Sequence, residues 1–128
     1  MDKANPSDAE FEILKVIWSY GKASVSQIHK EIVEQRNSPI TRNTVQVQVK
    51  RLLVKGKLNR EKIDENYFYS ATETEDESCR KIALDIKQRV FGGSVSNLVK
   101  CLFKGDEISN QELSELEEFM RKSKKGES

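Results

Sequence analysis

A chain of 128 residues with 36% apolar and 34% charged side chains is the size of one ordinary domain, or of a compact unit of about 70 residues with an appendage. Its apolar runs are too short for a helix that spans a bilayer, so no transmembrane helix is expected, and residues 1–6 lack the basic-then-apolar signature of an export signal; a cytoplasmic location is expected. The net charge of +1 hides an asymmetry, because residues 1–72 hold 12 Lys and Arg against 9 Asp and Glu, whereas residues 73–128 hold 10 against 12. Within residues 41–62 the cations are Arg42, Lys50, Arg51, Lys55, Lys57, Arg60 and Lys62 against Glu61 alone, and local charge is what meets a polyanion.

The same composition argues against catalysis and metal chemistry. Cys79 and Cys101 match no zinc spacing and, with His29, fall short of a closed four-ligand site, so free thiols and a solvent-facing His29 are expected. The scattered carboxylates form no spaced constellation of acid, base and nucleophile. No catalytic residue, metal or cofactor is therefore assigned.

Along the chain, Asn5-Pro6 punctuates a turn, and Ser7 with Glu10 makes a capping box that opens a helix running to about Tyr20. Its stripe is Phe11, Leu14, Ile17 and Trp18, broadened by Ile13 and Val16, and Gly21 ends it. Ser24 and Gln27 repeat the capping signal. Val25, Ile28, Ile32 and Val33 give a second helix ending near Gln35 or Arg36, closed off by Ser38-Pro39. The connection to Thr41 is short, so the second and third helices must cross steeply, as in a helix-turn-helix.

Residues 40–56, ITRNTVQVQVKRLLVKG, admit two periods. Val45, Val47 and Val49 alternate as on a half-buried strand, but that pattern fails at Arg51. At helical spacing Val45, Val49, Leu52 and Leu53 share one face, Thr41 caps the start, and Gly56 after Lys55 marks a left-handed end. The opposite face carries Asn43, Gln46, Val47 and Lys50, with Arg42 and Thr44 in the first turn and Arg51 on a flank. Amides can pair with adenine, cations with guanine or phosphate, and a valine with a thymine methyl, which equips this face to read a major groove. A plain solvated face would more usually carry glutamates, and residues 40–60 contain no acid. Arg51 has a second reading, with its stem packed inside and its guanidinium paired to an acid of the same domain.

After Gly56 the period becomes two: Leu58 and residues 60–63 form one strand, Asp64, Glu65 and Asn66 a turn, and Tyr67, Phe68 and Tyr69 an aromatic second strand. Three helices and a hairpin make a winged helix, in which Lys57, Arg60 and Lys62 could reach phosphates while Tyr67 and Tyr69 pack across strands. Residues 72–76 are a polar, acidic joint that starts a further helix. Beyond it Cys79, Ile82, Ala83, Ile86 and Val90 recur at helical spacing until Gly92-Gly93, then Val95, Leu98, Val99, Leu102 and Phe103 until Gly105. A last helix, capped by Ser109 and Glu112, carries Leu113, Leu116, Phe119 and Met120 before the basic tail of residues 122–125.

Three short amphipathic helices in about 50 residues bury too little surface to stand alone. A second copy of the chain is the economical partner, with Ile82, Ile86, Val90, Val95, Leu98, Val99, Leu102, Leu113, Leu116 and Phe119 as the seam. The expected fold is mainly α with a small β-hairpin: a winged helix-turn-helix domain over residues 1–72 and a three-helix dimerisation domain over residues 73–128. The expected partner is a double-stranded palindromic DNA operator, contacted through Arg42, Asn43, Thr44, Gln46, Val47, Lys50, Arg51, Arg60 and Lys62. The alternative is a winged-helix protein-docking module without sequence-specific DNA binding.

The segments SDAEFEILKVIW (residues 7–18), NTVQVQVKRLLVKGKLNREK (43–62), YFYS (67–70), RVFGGSVSNLV (89–99) and ISNQELSELEEF (108–119) are, in this order and spacing, similar to the penicillinase-repressor family of BlaI/MecI/CopY type. The resemblance runs nearly end to end and implies a dimeric winged-helix repressor of a resistance or copper-homeostasis operon. In the β-lactam members, repression ends when a membrane sensor leads to cleavage at an Asn-Phe bond after the Gly-Gly, which implies a sensor or protease acting on the C-terminal domain. This chain has no Asn-Phe dipeptide; it reads Asn97-Leu98 and Cys101-Leu102-Phe103. It also lacks the Cys-x-Cys pairs of the copper-responsive members. The resemblance therefore implies a repressor without naming its inducer.

Overall fold

The computed structural model describes residues 6–37, 39–105 and 107–124, so Asn5, Ser38 and Lys125 of the expected turn, helix stop and tail lie outside the described residues. The elements are α1 (Asp8–Tyr20), α2 (Val25–Arg36), α3 (Arg42–Val54), β1 (Leu58–Ile63), β2 (Asn66–Ala71), α4 (Glu75–Phe91), α5 (Val95–Leu102) and α6 (Asn110–Lys124). They form two compact units, Met1–Ile82 and Ala83–Ser128.

The helices of the first unit start where side chains satisfy their free N–H groups. Ser7 accepts from the Glu10 N–H at 3.2 Å while the Glu10 carboxylate accepts from the Ser7 N–H at 3.1 Å, and Ser24 and Gln27 repeat the reciprocal pair at α2. Thr41 accepts from the Thr44 N–H at α3. Each such cap contributes about 1 kcal/mol. Val45 and Val49 are fully buried whereas Val47, which would share their side on a strand, is 41% exposed, so burial decides for the helix. At the end of α3 the Gly56 N–H donates to Leu53 O and the Lys57 N–H to Leu52 O, with Gly56 at φ +76°, a left-handed stop that suits glycine.

The core of this unit joins Ile13, Leu14 and Ile17 of α1, Ile28 and Ile32 of α2, Val45, Val49 and Leu52 of α3, and Leu58 and Tyr69 of the hairpin. β1 and β2 are antiparallel with Ile63 opposite Asn66, so the turn is the pair Asp64-Glu65 and Asn66 belongs to the strand. Both turn residues have positive φ, +49° and +70°, the twist that matches a two-residue hairpin. Ala23, between α1 and α2, exchanges N–H···O bonds with Tyr69 at 3.0 and 2.8 Å and so fastens the hairpin to the helices. The last residues of the first unit are the opening turns of α4. Thr74 and Glu77 form a reciprocal cap there, and Ser78 is buried.

In the second unit, α4 ends at Gly92 and Gly93, both at positive φ. Ser94 caps α5, and Ser109 with Glu112 makes the capping box of α6. No described residue after Ala83 is buried. Val90, Val95, Leu102, Phe119 and Met120 are each more than half exposed.

Candidate nucleic-acid interface

The polar face of α3 is turned away from the core because Val45, Val49 and Leu52 take the other side. Arg42, Asn43, Thr44, Gln46, Val47, Lys50 and Arg51 are all exposed. Asn43, Val47 and Lys50 form one stripe, and Val54, 77% exposed, continues it at the same spacing. Sequence reasoning passed over Val54, although its position one heptad after Val47 was the available signal. The Thr44 hydroxyl lies 2.8 Å from that of Thr41, so it is partly engaged in the cap.

Arg42 and Gln46 line a cleft of about 470 Å³ together with residues 24–27 at the start of α2 and Glu65, Asn66 and Tyr67 of the hairpin. The tertiary structure thus brings α3 and the hairpin to one surface. Arg60 sits over the Tyr67 ring, 4.5 Å from its centroid, which holds the guanidinium in place without neutralising it. Lys62 faces Glu65 at 3.5 Å on the open surface, a pair that is weak and easily exchanged for a phosphate. Among the described residues Arg42, Lys50, Arg51 and Arg60 have no carboxylate within 4.0 Å.

Two expectations need correction. Lys57 lies 3.8 Å from Glu73 with its side chain only 15% exposed, so it belongs to the fold of the first unit. His29 is half-buried, and its Nε2–H donates to Ile40 O at 2.6 Å, tying α2 to the segment that leads into α3. Both tyrosines pack across the hairpin as expected: Tyr67, itself exposed, lies under Arg60 of β1, and Tyr69 is buried in the core.

Glu10 is buried at the start of α1 and receives Lys55 Nζ at 2.6 Å from the end of α3. Burial pushes its carboxyl up, but the Lys55 hydrogen bond, the Ser7 N–H and the charges of Lys55 and Arg51 outweigh that and hold it below the ordinary value. Arg51 is therefore placed to act on Glu10 as well as on an outside anion.

Of the expected seam residues, Ile82, Ile86, Leu98 and Leu113 are half-buried, while Val90, Val95, Val99, Leu102, Leu116 and Phe119 are exposed. Cys79 and Cys101 are free and exposed. No helix among the described residues is long and apolar enough to cross a membrane, and no group of three His, Cys, Asp or Glu among them is placed to hold a metal ion.

The family model described as "Penicillinase repressor" matches residues 6–122. The penicillinase repressor of Staphylococcus aureus is 30% identical over 114 residues, covering 89% of each chain. The methicillin resistance regulatory protein MecI of Staphylococcus aureus (strain N315) is 28% identical over 117 residues, 91% of this chain and 93% of its own. Among solved structures, a mutant MarR from E. coli complexed with operator DNA aligns with a TM-score of 0.52 at 17% identity, over 91% of this chain and 74% of that one, a likeness of fold. With the family model spanning nearly the whole chain and the relatives matched almost end to end, the chain belongs to the penicillinase repressor family, a family of DNA-binding transcriptional repressors.

Proposed function

We propose that this DNA-binding repressor works as a cytoplasmic homodimer on a palindromic operator, each copy laying α3 in a major groove with its wing against the flanking backbone. The carrying observation is the exposed, acid-free face of α3, whose cations lack carboxylate partners within the described chain. Asn43, Gln46 and Val47 take base edges, with Arg42 and Thr44 at the entry of the helix. Lys50, Arg51, Arg60 and Lys62 take phosphates.

The dimer is supported by the second unit, whose described residues include none that is buried. Its apolar stripes need a cover, and two-fold pairing of the helices over residues 73–128 supplies one while leaving residues 1–72 as paired readers. A sensor or protease that ends repression would act on these C-terminal helices; the absence of an Asn-Phe dipeptide means that any cut falls at another bond. The test is selection of duplexes by the full chain from fragments of the host genome, followed by titration of the recovered sequence against random duplex. Recovery of an inverted repeat bound about a thousandfold more tightly than random DNA is expected. Equal binding to both would overturn sequence-specific repression in favour of protein docking.

A further inference from the structure

The polar, acidic joint that starts α4 is fastened on several sides. The Trp18 indole N–H of α1 donates to Glu73 O at 2.9 Å. The Thr72 N–H donates to Lys57 O and the Thr72 hydroxyl to Gly56 O, both at 3.0 Å. The Glu73 carboxylate then takes two cations, Lys57 at 3.8 Å and Lys81 in the second turn of α4. Lys15 of α1 reaches Glu75 at 3.2 Å, and Ser78 is buried.

One of these partners connects directly to the reading helix. The Lys57 N–H closes the C-terminal cap of α3 on Leu52 O, so a single residue bonds to the end of α3 by its backbone and to Glu73 by its side chain. Glu73 in turn holds α4 through Lys81. A chain of bonded groups therefore runs from α3 to the start of α4 inside the first unit, with Glu73 and Lys57 each mostly withdrawn from water. α4 then continues without interruption to Phe91.

We infer that Glu73 is a positioning residue for operator recognition: it fixes the direction in which α4 leaves the reading helix and thereby sets the half-site separation that a dimer accepts. This rests on the dimeric reading above. Each base pair inserted between half-sites advances the second by about 3.4 Å and turns it by roughly 34–36° about the duplex axis. A free linker absorbs such a change with a small loss of effective concentration, whereas a fastened one must break contacts on one side.

The experiment uses the full chain with a half-site selected from a random duplex pool, presented alone and as inverted pairs whose spacer varies one base pair at a time. Wild type is expected to lose about tenfold in affinity for each base pair added to or removed from its best spacer, and Glu73→Gln to lose less than about threefold, with lone half-site affinity unchanged. Lys81→Met, at an exposed position, removes one arm of the same node and is expected to flatten the profile in the same direction, which keeps the test intact should Glu73→Gln fold poorly. Faster solvent exchange of the Trp18 indole N–H in Glu73→Gln is the accompanying local readout. Spacer profiles as sharp in the folded variants as in wild type, or a flat wild-type profile, overturn the inference alone. A wild-type chain that binds paired half-sites no better than one removes the dimeric reading and the inference with it.

Discussion

Lys55 at the end of α3 and Glu10 at the start of α1 meet at 2.6 Å, with the Glu10 side chain 3% exposed. The pair couples the end of α3 to a carboxylate that is already capping another helix, so one side chain anchors two elements. Removing the cation leaves a buried charge, which costs more than removing the charge itself. Lys55→Met is expected to destabilise by about 2–4 kcal/mol and Glu10→Gln, which keeps the cap, by about 1–2 kcal/mol. Urea denaturation of the two variants checks the order; the reverse order would place the anchor elsewhere.

Acid sensitivity follows from the same group. The carboxyls of Glu10 and Glu73 are both held below their ordinary value of 4.5, Glu73 chiefly by the Lys81 hydrogen bond, against burial and with help from the Lys57 charge. Depressed folded values mean that their contribution to stability is complete above pH 4.5 and is lost as pH falls through the lowered values. Melting temperature is therefore expected to fall below pH 4.5 and to fall less steeply in Glu10→Gln. Parallel curves for the two chains would show that other carboxylates govern acid unfolding.

Base reading should separate cleanly from stability. Asn43→Ala and Gln46→Ala remove exposed amides and are expected to cost about 1–3 kcal/mol of operator discrimination each, with random-duplex binding little changed. Competition titrations measure the ratio. An unchanged ratio in both would shift specificity to Arg42, Thr44 or Val47.

Phosphate contacts should appear in salt dependence. Neutralising Lys50, Arg60 or Lys62 is expected to weaken all duplexes alike and to lower the slope of log affinity against log salt by about one each. Lys57→Gln should leave the slope alone and lower the melting temperature, because its ammonium faces Glu73. Arg51 lies between these cases, acting on Glu10 from an exposed position. A lower melting temperature with an unchanged slope in Arg51→Ala would assign it to structure.

For the second unit, Leu98→Asp with Leu116→Asp is expected to give monomers by placing charge in the apolar seam, and to cut operator affinity steeply while half-site binding persists. A chain ending at Ile82 should do the same. One ending at Thr72 would also lose the Trp18–Glu73 hydrogen bond and the buried Ser78, and should melt lower than the longer fragment. Sedimentation decides: a dimer of the Ile82 fragment with full operator affinity would mean that the first unit assembles by itself.

Helix starts at Ser7, Ser24, Thr41 and Ser109, the glycine stops at Gly21, Gly56 and Gly92-Gly93, and the acid-free face of α3 were determined by the sequence itself. Each depends on side chains within a few residues of one another, so local spacing carries the whole signal. The contacts of Ala23 with Tyr69, His29 with Ile40, Trp18 with Glu73 and Lys57 with Glu73 were decided only by tertiary structure. Each joins groups from separate elements, and a lone alanine, histidine or lysine bears no local mark of a partner that packing alone brings near. The helix start within residues 72–76 was likewise local, and the reciprocal cap of Thr74 and Glu77 is what makes it. What turned that stretch into a fastened joint was the surface of α1 and the end of α3 meeting it, which no periodicity in residues 72–76 encodes.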